Sequence, residues 1–499
     1  MHLLIGWAGR PVVGSIQAPS RGARIGPKPV IPRGRNVALL QGGTAVALEC
    51  RMALKDTRGN LLGTDSAAAR DATETALWRM MSFYDPPLGD LDRAIAHDPH
   101  WSLPHAMKAG FLLSLTEPSM VPEAHGHLER AMALLPAAPT RERVHVEATQ
   151  RVLDGRWHDA CALWDEWLLD HPRDALALQW AHLWDFYRGD VVNLRARPAR
   201  ALPEWDEADP LFPHVLALHA FGLEENNLQV QAEEAGRRVM ALDPRSPWAI
   251  HAVAHVMEMQ GRFDEGAAWL RQHQRHWAEG NGYACHLWWH LALFRLEGLD
   301  DTGVLRLVDA HLAGDALQVT LQRVDAAALL WRLHLLGVDV RERCTALVAG
   351  WDLADDCAGY YAFNDVHALL AMLAADDGAR AEHWVARCAA RALAADDAPR
   401  SNHTMAREVG APLMRALLAF ARGEAGAAAQ TLYGVRAKAQ RFGGSHAQRD
   451  VIDQTLLAAA GADPGVRSLG RAVLNERRSA KPVSPLTRHW AERLGVALA

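Results

Sequence analysis

PWAIHAVAHVMEMQGR (residues 247–262) and CHLWWHLALF (residues 285–294) decide how this chain is read. Neither stretch contains a run of β-branched residues, and both are rich in Ala, Leu, Met and Trp, so each predicts a helix. His251 and His255 stand four residues apart, as do His286 and His290, so each pair projects from one helix face. The second pair follows the first by 35 residues. That offset is close to the period of a helix-turn-helix unit, so it places the pairs at comparable positions on neighbouring helices.

The period shows on both sides of these stretches. Units of 34 residues begin at Arg141 and Ala175 and, after a four-residue insertion, at Pro213 and Pro247. The fifteenth residue of each is Gly155, Gly189, Asn227 or Gly261, the types that tolerate a left-handed backbone and so close a turn between two helices. The eighth should be small, so that paired helices approach closely; Ala148, Ala220 and Ala254 comply and His182 does not. His171-Pro172 and Asp243-Pro244 supply helix stops. Weaker units surround Pro99 and Gly423. The pattern resembles the tetratricopeptide repeat in degenerate form and predicts an all-α, right-handed α-solenoid over residues 52–499, best formed over 141–300.

LKDTRGNLLGTDS, PHAMKAG, HAVAHVMEMQGR, CHLWWHLALF, FNDVHALLAM, REVGAPL, GGSHAQRDV and KPVSPLTR, taken in order from about Leu54 to the C-terminus, resemble the tetratricopeptide repeat protein 38 family. The resemblance implies an all-helical repeat protein and brings no settled biochemical activity.

Composition narrows the function classes. Of 499 residues, 49% are hydrophobic and 22% charged, and the formal charge of -6 is spread without a basic face, so nucleic acid is not an expected partner. No apolar run is long enough to span a bilayer, so no membrane partner is expected either. Trp (18) outnumbers Phe (10) and Tyr (6); in helical repeats such rings fill gaps between helices or line a groove. Cys50, Cys161, Cys285, Cys344, Cys357 and Cys388 are scattered without a CxxC pair, the usage of a reduced, cytoplasmic protein. From Met1 to Leu48 there is no acidic residue, among Arg10, Arg21, Arg24, Lys28, Arg33 and Arg35. Residues 1–51 read as a disordered basic tail or, better, as a start assigned too far upstream, with translation beginning at Met52.

In repeats of this kind the second, fifth, ninth and twelfth residues of a unit line the concave surface. From Pro247 that rule selects Trp248, His251, His255 and Glu258, and the preceding unit adds Glu224; His286 and His290 join them from the next helix. Three readings stay open. The histidines could be packing residues, or they could grip a peptide, protein or small ligand in an aromatic-lined groove. They could also bind a metal: His251, His255, Glu258, His286 and His290 suit zinc or non-haem iron and would make the chain a metal-dependent oxygenase or hydrolase. The leading expectation is the ligand-binding groove without a cofactor. H-A-V-A-H lacks the glutamate that HExxH uses as its base, so a protease reading is poor.

GGSHAQRD carries an S-x-x-Q capping box at Ser445 and Gln448, with an alternative role for Ser445 and Arg449 as an anion site. Asn364 and Asp365 read as helix caps with His367 just inside, and Asp325 with Arg332 as packing or solvated surface. SNHTMAREVG suggests no chemistry. No P-loop, GxGxxG or GxSxG is present, so nucleotide-dependent and serine-hydrolase chemistry have no support.

Overall fold

The computed structural model describes residues 54–498, which are helical with no strand among them. Residues 1–51, on which the tail and start expectations rest, lie outside the described residues.

The helices run in antiparallel pairs. Thr140–Leu153 pairs with Trp157–Asp170, Ala175–Tyr187 with Val191–Ala201, Phe212–Glu225 with Gln229–Leu242, and Pro247–Met259 with Phe263–Gln272. The expected turn residues Gly155, Gly189, Asn227 and Gly261 all have positive φ, between 61° and 75°. In each turn the following amide reaches back to the carbonyl five residues earlier, as from Arg156 to Arg151 (2.8 Å) and from Arg262 to Met257 (2.7 Å), which satisfies end carbonyls of the first helix. The same left-handed step recurs at Leu299, Gly337, Asp376 and Gly423, which extends the array through Ala284–Glu297 and Asp301–His311 to Ala411–Ala421 and Ala425–Arg436. Ala148, Ala220 and Ala254 are fully buried as expected, and His182 is accommodated by donating its Nε2 hydrogen bond to the Leu218 carbonyl, 3.1 Å away on the next first helix.

First helices are apolar almost all round, as in ALALQWAHLWDFY (Ala175–Tyr187), whereas second helices bury a single stripe. A helix without a polar face must be covered on both sides. The outer cover is the second helix of each pair, and the inner cover is the rest of the chain. Trp331 donates to Thr455 Oγ1 (2.9 Å), Tyr361 to the Tyr187 carbonyl (2.8 Å) and Ser401 N–H to the Gly155 carbonyl (2.8 Å), while Arg477 and Ser484 both bind Glu297. At the other end, Phe83 and Tyr84 bridge to Asn281 and Gly282. The open concave surface expected of a solenoid is therefore corrected: the C-terminal helices occupy it, because the apolar inner faces leave no stable alternative.

Candidate metal centre

Four consecutive first helices converge on one point: Phe212–Glu225, Pro247–Met259, Ala284–Glu297 and Thr320–Leu335. The second carries His251, His255 and Glu258, the third His286 and His290, the first Glu224 and the fourth Asp325. One ligand nitrogen from each of the four histidines lies within 4.8 Å of the others. His251 Nε2 is 3.1 Å from His286 Nε2, and His290 Nε2 is 3.2 Å from the same atom. The His255 ring lies 4.3 Å from that of His251 and 4.5 Å from that of His290, centroid to centroid.

Carboxylates stand behind these rings. His286 Nδ1 is 2.7 Å from Asp325 Oδ2, and His290 Nδ1 is 3.1 Å from Glu258 Oε2. A carboxylate only accepts, so with Asp325 and Glu258 ionised both Nδ1 atoms carry the proton and both Nε2 atoms present lone pairs. Those lone pairs face each other across 3.2 Å. His251 can direct one Nε2–H at His286, but no proton is then left for the contact between His286 and His290. Protonating the rings is opposed, chiefly by burial. Burial and the neighbouring histidines hold His251 and His290 well below the ordinary range, and burial brings His255 down to about 4. Facing lone pairs in a buried site repel one another, and a cation between them would relieve that repulsion. A tetrahedral ion with metal–nitrogen bonds of 2.0–2.1 Å spaces its ligand nitrogens by about 3.3 Å, close to the separations seen here. A carboxylate on the far nitrogen of a ligand histidine is the usual support of such an ion.

Packing fixes the rings. Trp248 stacks on His251 and Trp289 on His286, while Phe221 meets His255 edge-on. The Tyr283 hydroxyl approaches His251 Nε2 at 3.2 Å. Arg332 is fully buried, lies over Trp289 and donates to the carbonyls of Ala328 (3.0 Å) and Ala447 (2.8 Å), so it ties this region to the helix His446–Ala462.

The structure thus gathers His251, His255, His286 and His290, together with Trp248, Glu224 and Glu258, and buries all but His286 almost completely. They sit inside the protein rather than on an open groove. Glu258 is corrected from ligand to supporting carboxylate, since His290 stands between it and the centre; burial raises it to about 7. Asp325, read from sequence as packing or surface, is 3% exposed and holds His286. The signal that could have found it is a lone acid in the apolar run VDAAALLWRLH, which must be partnered if buried.

The other candidates fall elsewhere. Ser445 closes the expected capping box with Gln448. The anion expected at Ser445 and Arg449 is supplied internally: Glu225 Oε1 accepts the His446 amide (2.8 Å) and Oε2 accepts from Arg449 (3.1 Å). Tyr361, not Asn364 or Asp365, is the N-cap of its helix; Asn364 donates to Thr116 Oγ1, and Asp365 accepts the Gly359 amide. His367 donates to the Phe363 carbonyl within its own helix. Beside the centre lies a cleft of about 510 Å3, lined by Glu225, Met259, His446, Arg449, Asp450 and Lys481 among others.

No family model matches the chain. Among solved structures, a chain of the structure of Naa15/Naa10 bound to HypK-THB is similar over 82% of this chain and 67% of its own length, at 12% identity and a TM-score of 0.19. At that score the likeness carries no weight for partner or activity.

Proposed function

We propose that this protein is a helical-repeat metalloprotein holding a zinc or ferrous ion through His251, His255, His286 and His290. The observation that carries the reading is the convergence of four histidine nitrogens, with His286 and His290 Nε2 3.2 Å apart and their Nδ1 atoms held against Asp325 and Glu258. Four nitrogens complete a tetrahedral zinc ion, which would join two neighbouring first helices directly and a third through Asp325. A six-coordinate ferrous ion would keep positions for an outside ligand. The groove reading finds support in the cleft rather than in an open concave face: its mixed charges suit a small polar ligand or a chain terminus. Cys161, Cys285, Cys344, Cys357 and Cys388 are free thiols, which supports a reducing compartment, the cytoplasm. Among the described residues no helix is long and apolar enough to cross a membrane.

Elemental analysis of the full chain, purified without chelator or added metal and again after reconstitution, tests the centre. At least one zinc or iron per chain is expected, lost in His286→Ala while far-UV circular dichroism stays helical. A folded wild-type chain that takes up no metal refutes it.

A further inference from the structure

The histidine centre leaves one group of polar atoms unexplained. Both carboxylate oxygens of Glu224 and both ring nitrogens of His255 are fully buried without a hydrogen-bond partner. Glu224 Oε2 is 3.3 Å from His255 Nδ1 but is not aligned for a hydrogen bond. Glu225 stands beside them, and one ligand atom from each of Glu224, Glu225 and His255 lies within 4.8 Å of the other two. Leaving a carboxylate dry and unpaired is costly, and a second carboxylate alongside adds repulsion. Arg449 and the His446 amide bind Glu225, and among the described residues no cation lies within ion-pair distance of Glu224 except the His255 ring.

Resting on the histidine-centre reading, we propose a second divalent-cation site formed by Glu224, Glu225 and His255, with the His255 ring bridging the two ions. Nε2 of His255 serves the first ion and Nδ1 the second; the ring gives its remaining proton to solvent as the second ion binds, becoming an imidazolate. Carboxylate and imidazole donors together suit zinc, manganese or ferrous iron. The two positions differ in kind. As zinc, the first ion has four histidine nitrogens and is closed. The second has three protein ligands and so keeps a place for water or a ligand atom, the arrangement of a reactive rather than a structural ion. Glu225 also lines the cleft of about 510 Å3, so the open position belongs to the side from which a small molecule would arrive.

The test loads the full-length protein with zinc, removes loosely bound ion by gel filtration, and counts zinc per chain. Wild type is expected to hold two ions and Glu224→Gln, which keeps the shape and removes the charge, one. One ion in both proteins overturns the second site and leaves the histidine centre standing; none in either overturns both. If Glu224→Gln fails to fold, wild type loaded with two equivalents of copper decides: a magnetically coupled pair in electron paramagnetic resonance supports the bridge, and the spectrum of isolated ions refutes it.

Discussion

Replacing Asp325 probes the histidine centre without touching a ligand. Asp325 Oδ2 accepts from His286 Nδ1 at 2.7 Å, and its side chain is 4% exposed, so the carboxylate sets both the tautomer and the tilt of the ring. His286 is the ring that both His251 and His290 face, so tilting it disturbs every close nitrogen–nitrogen contact of the centre. Loss of a supporting carboxylate of this type costs about 10- to 100-fold in metal affinity, or about 1.4–2.7 kcal/mol. Asp325→Asn keeps an acceptor oxygen and loses the charge, so it belongs at the weaker end. Asp325→Ala loses both and belongs at the stronger. Zinc dissociation constants measured at neutral pH by competition with a chromophoric chelator should rank wild type, Asp325→Asn and Asp325→Ala in that order of tightness. Equal affinities in three folded proteins would refute the carboxylate–histidine–metal arrangement.

Acid should destabilise the fold between the ordinary histidine range and pH 4. Burial holds His182 near 3 and His214 and His367 near 4, so each is neutral when folded. As pH falls through about 6.5 the unfolded chain takes up protons that the fold refuses; each group withdraws roughly 2 kcal/mol by about pH 5, and a urea midpoint unchanged between neutrality and that pH would contradict this. Gly189→Ala should lower the melting temperature more than Gly423→Ala. Both sit at positive φ, +70° and +81°, but only the first would drive its new Cβ to 1.7 Å from the Gln440 carbonyl. The backbone alone costs each about 1 kcal/mol, so equal losses in calorimetry would mean that the Gly189–Gln440 approach does not form. Trp248→Ala should cost about 3–5 kcal/mol in urea unfolding, because its ring packs against Phe83, Phe221 and Tyr283; a cost below about 1 kcal/mol would place it against exchangeable solvent instead.

What sequence could reveal was local. The period, the left-handed turn positions and the meeting of two histidine pairs all follow from spacings within about 35 residues, and His251 and His286 do meet. The covering of the inner face did not follow, because it depends on pairs such as Trp331 with Thr455 and Tyr187 with Tyr361, which no period relates. The same blindness hid Asp325 and left Arg449 open to an outside anion as an alternative, when Glu225 arrives from 224 residues away. The near-total apolarity of the first helices was the available warning, since an open groove would have left those faces wet.

Filling the centre of the array also changes what the repeats are free to do. In an open stack, each unit touches only its neighbours, so lineages can gain or lose a unit with little penalty. Here Gly155 meets Ser401, Gly189 meets Gln440 and Glu297 meets Arg477, so an added or deleted helix pair would shift every later partner out of reach. The number of units is thereby frozen, and the chain should evolve by substitution rather than by duplication. Its unfolding should likewise be a single cooperative event rather than a fraying from either end.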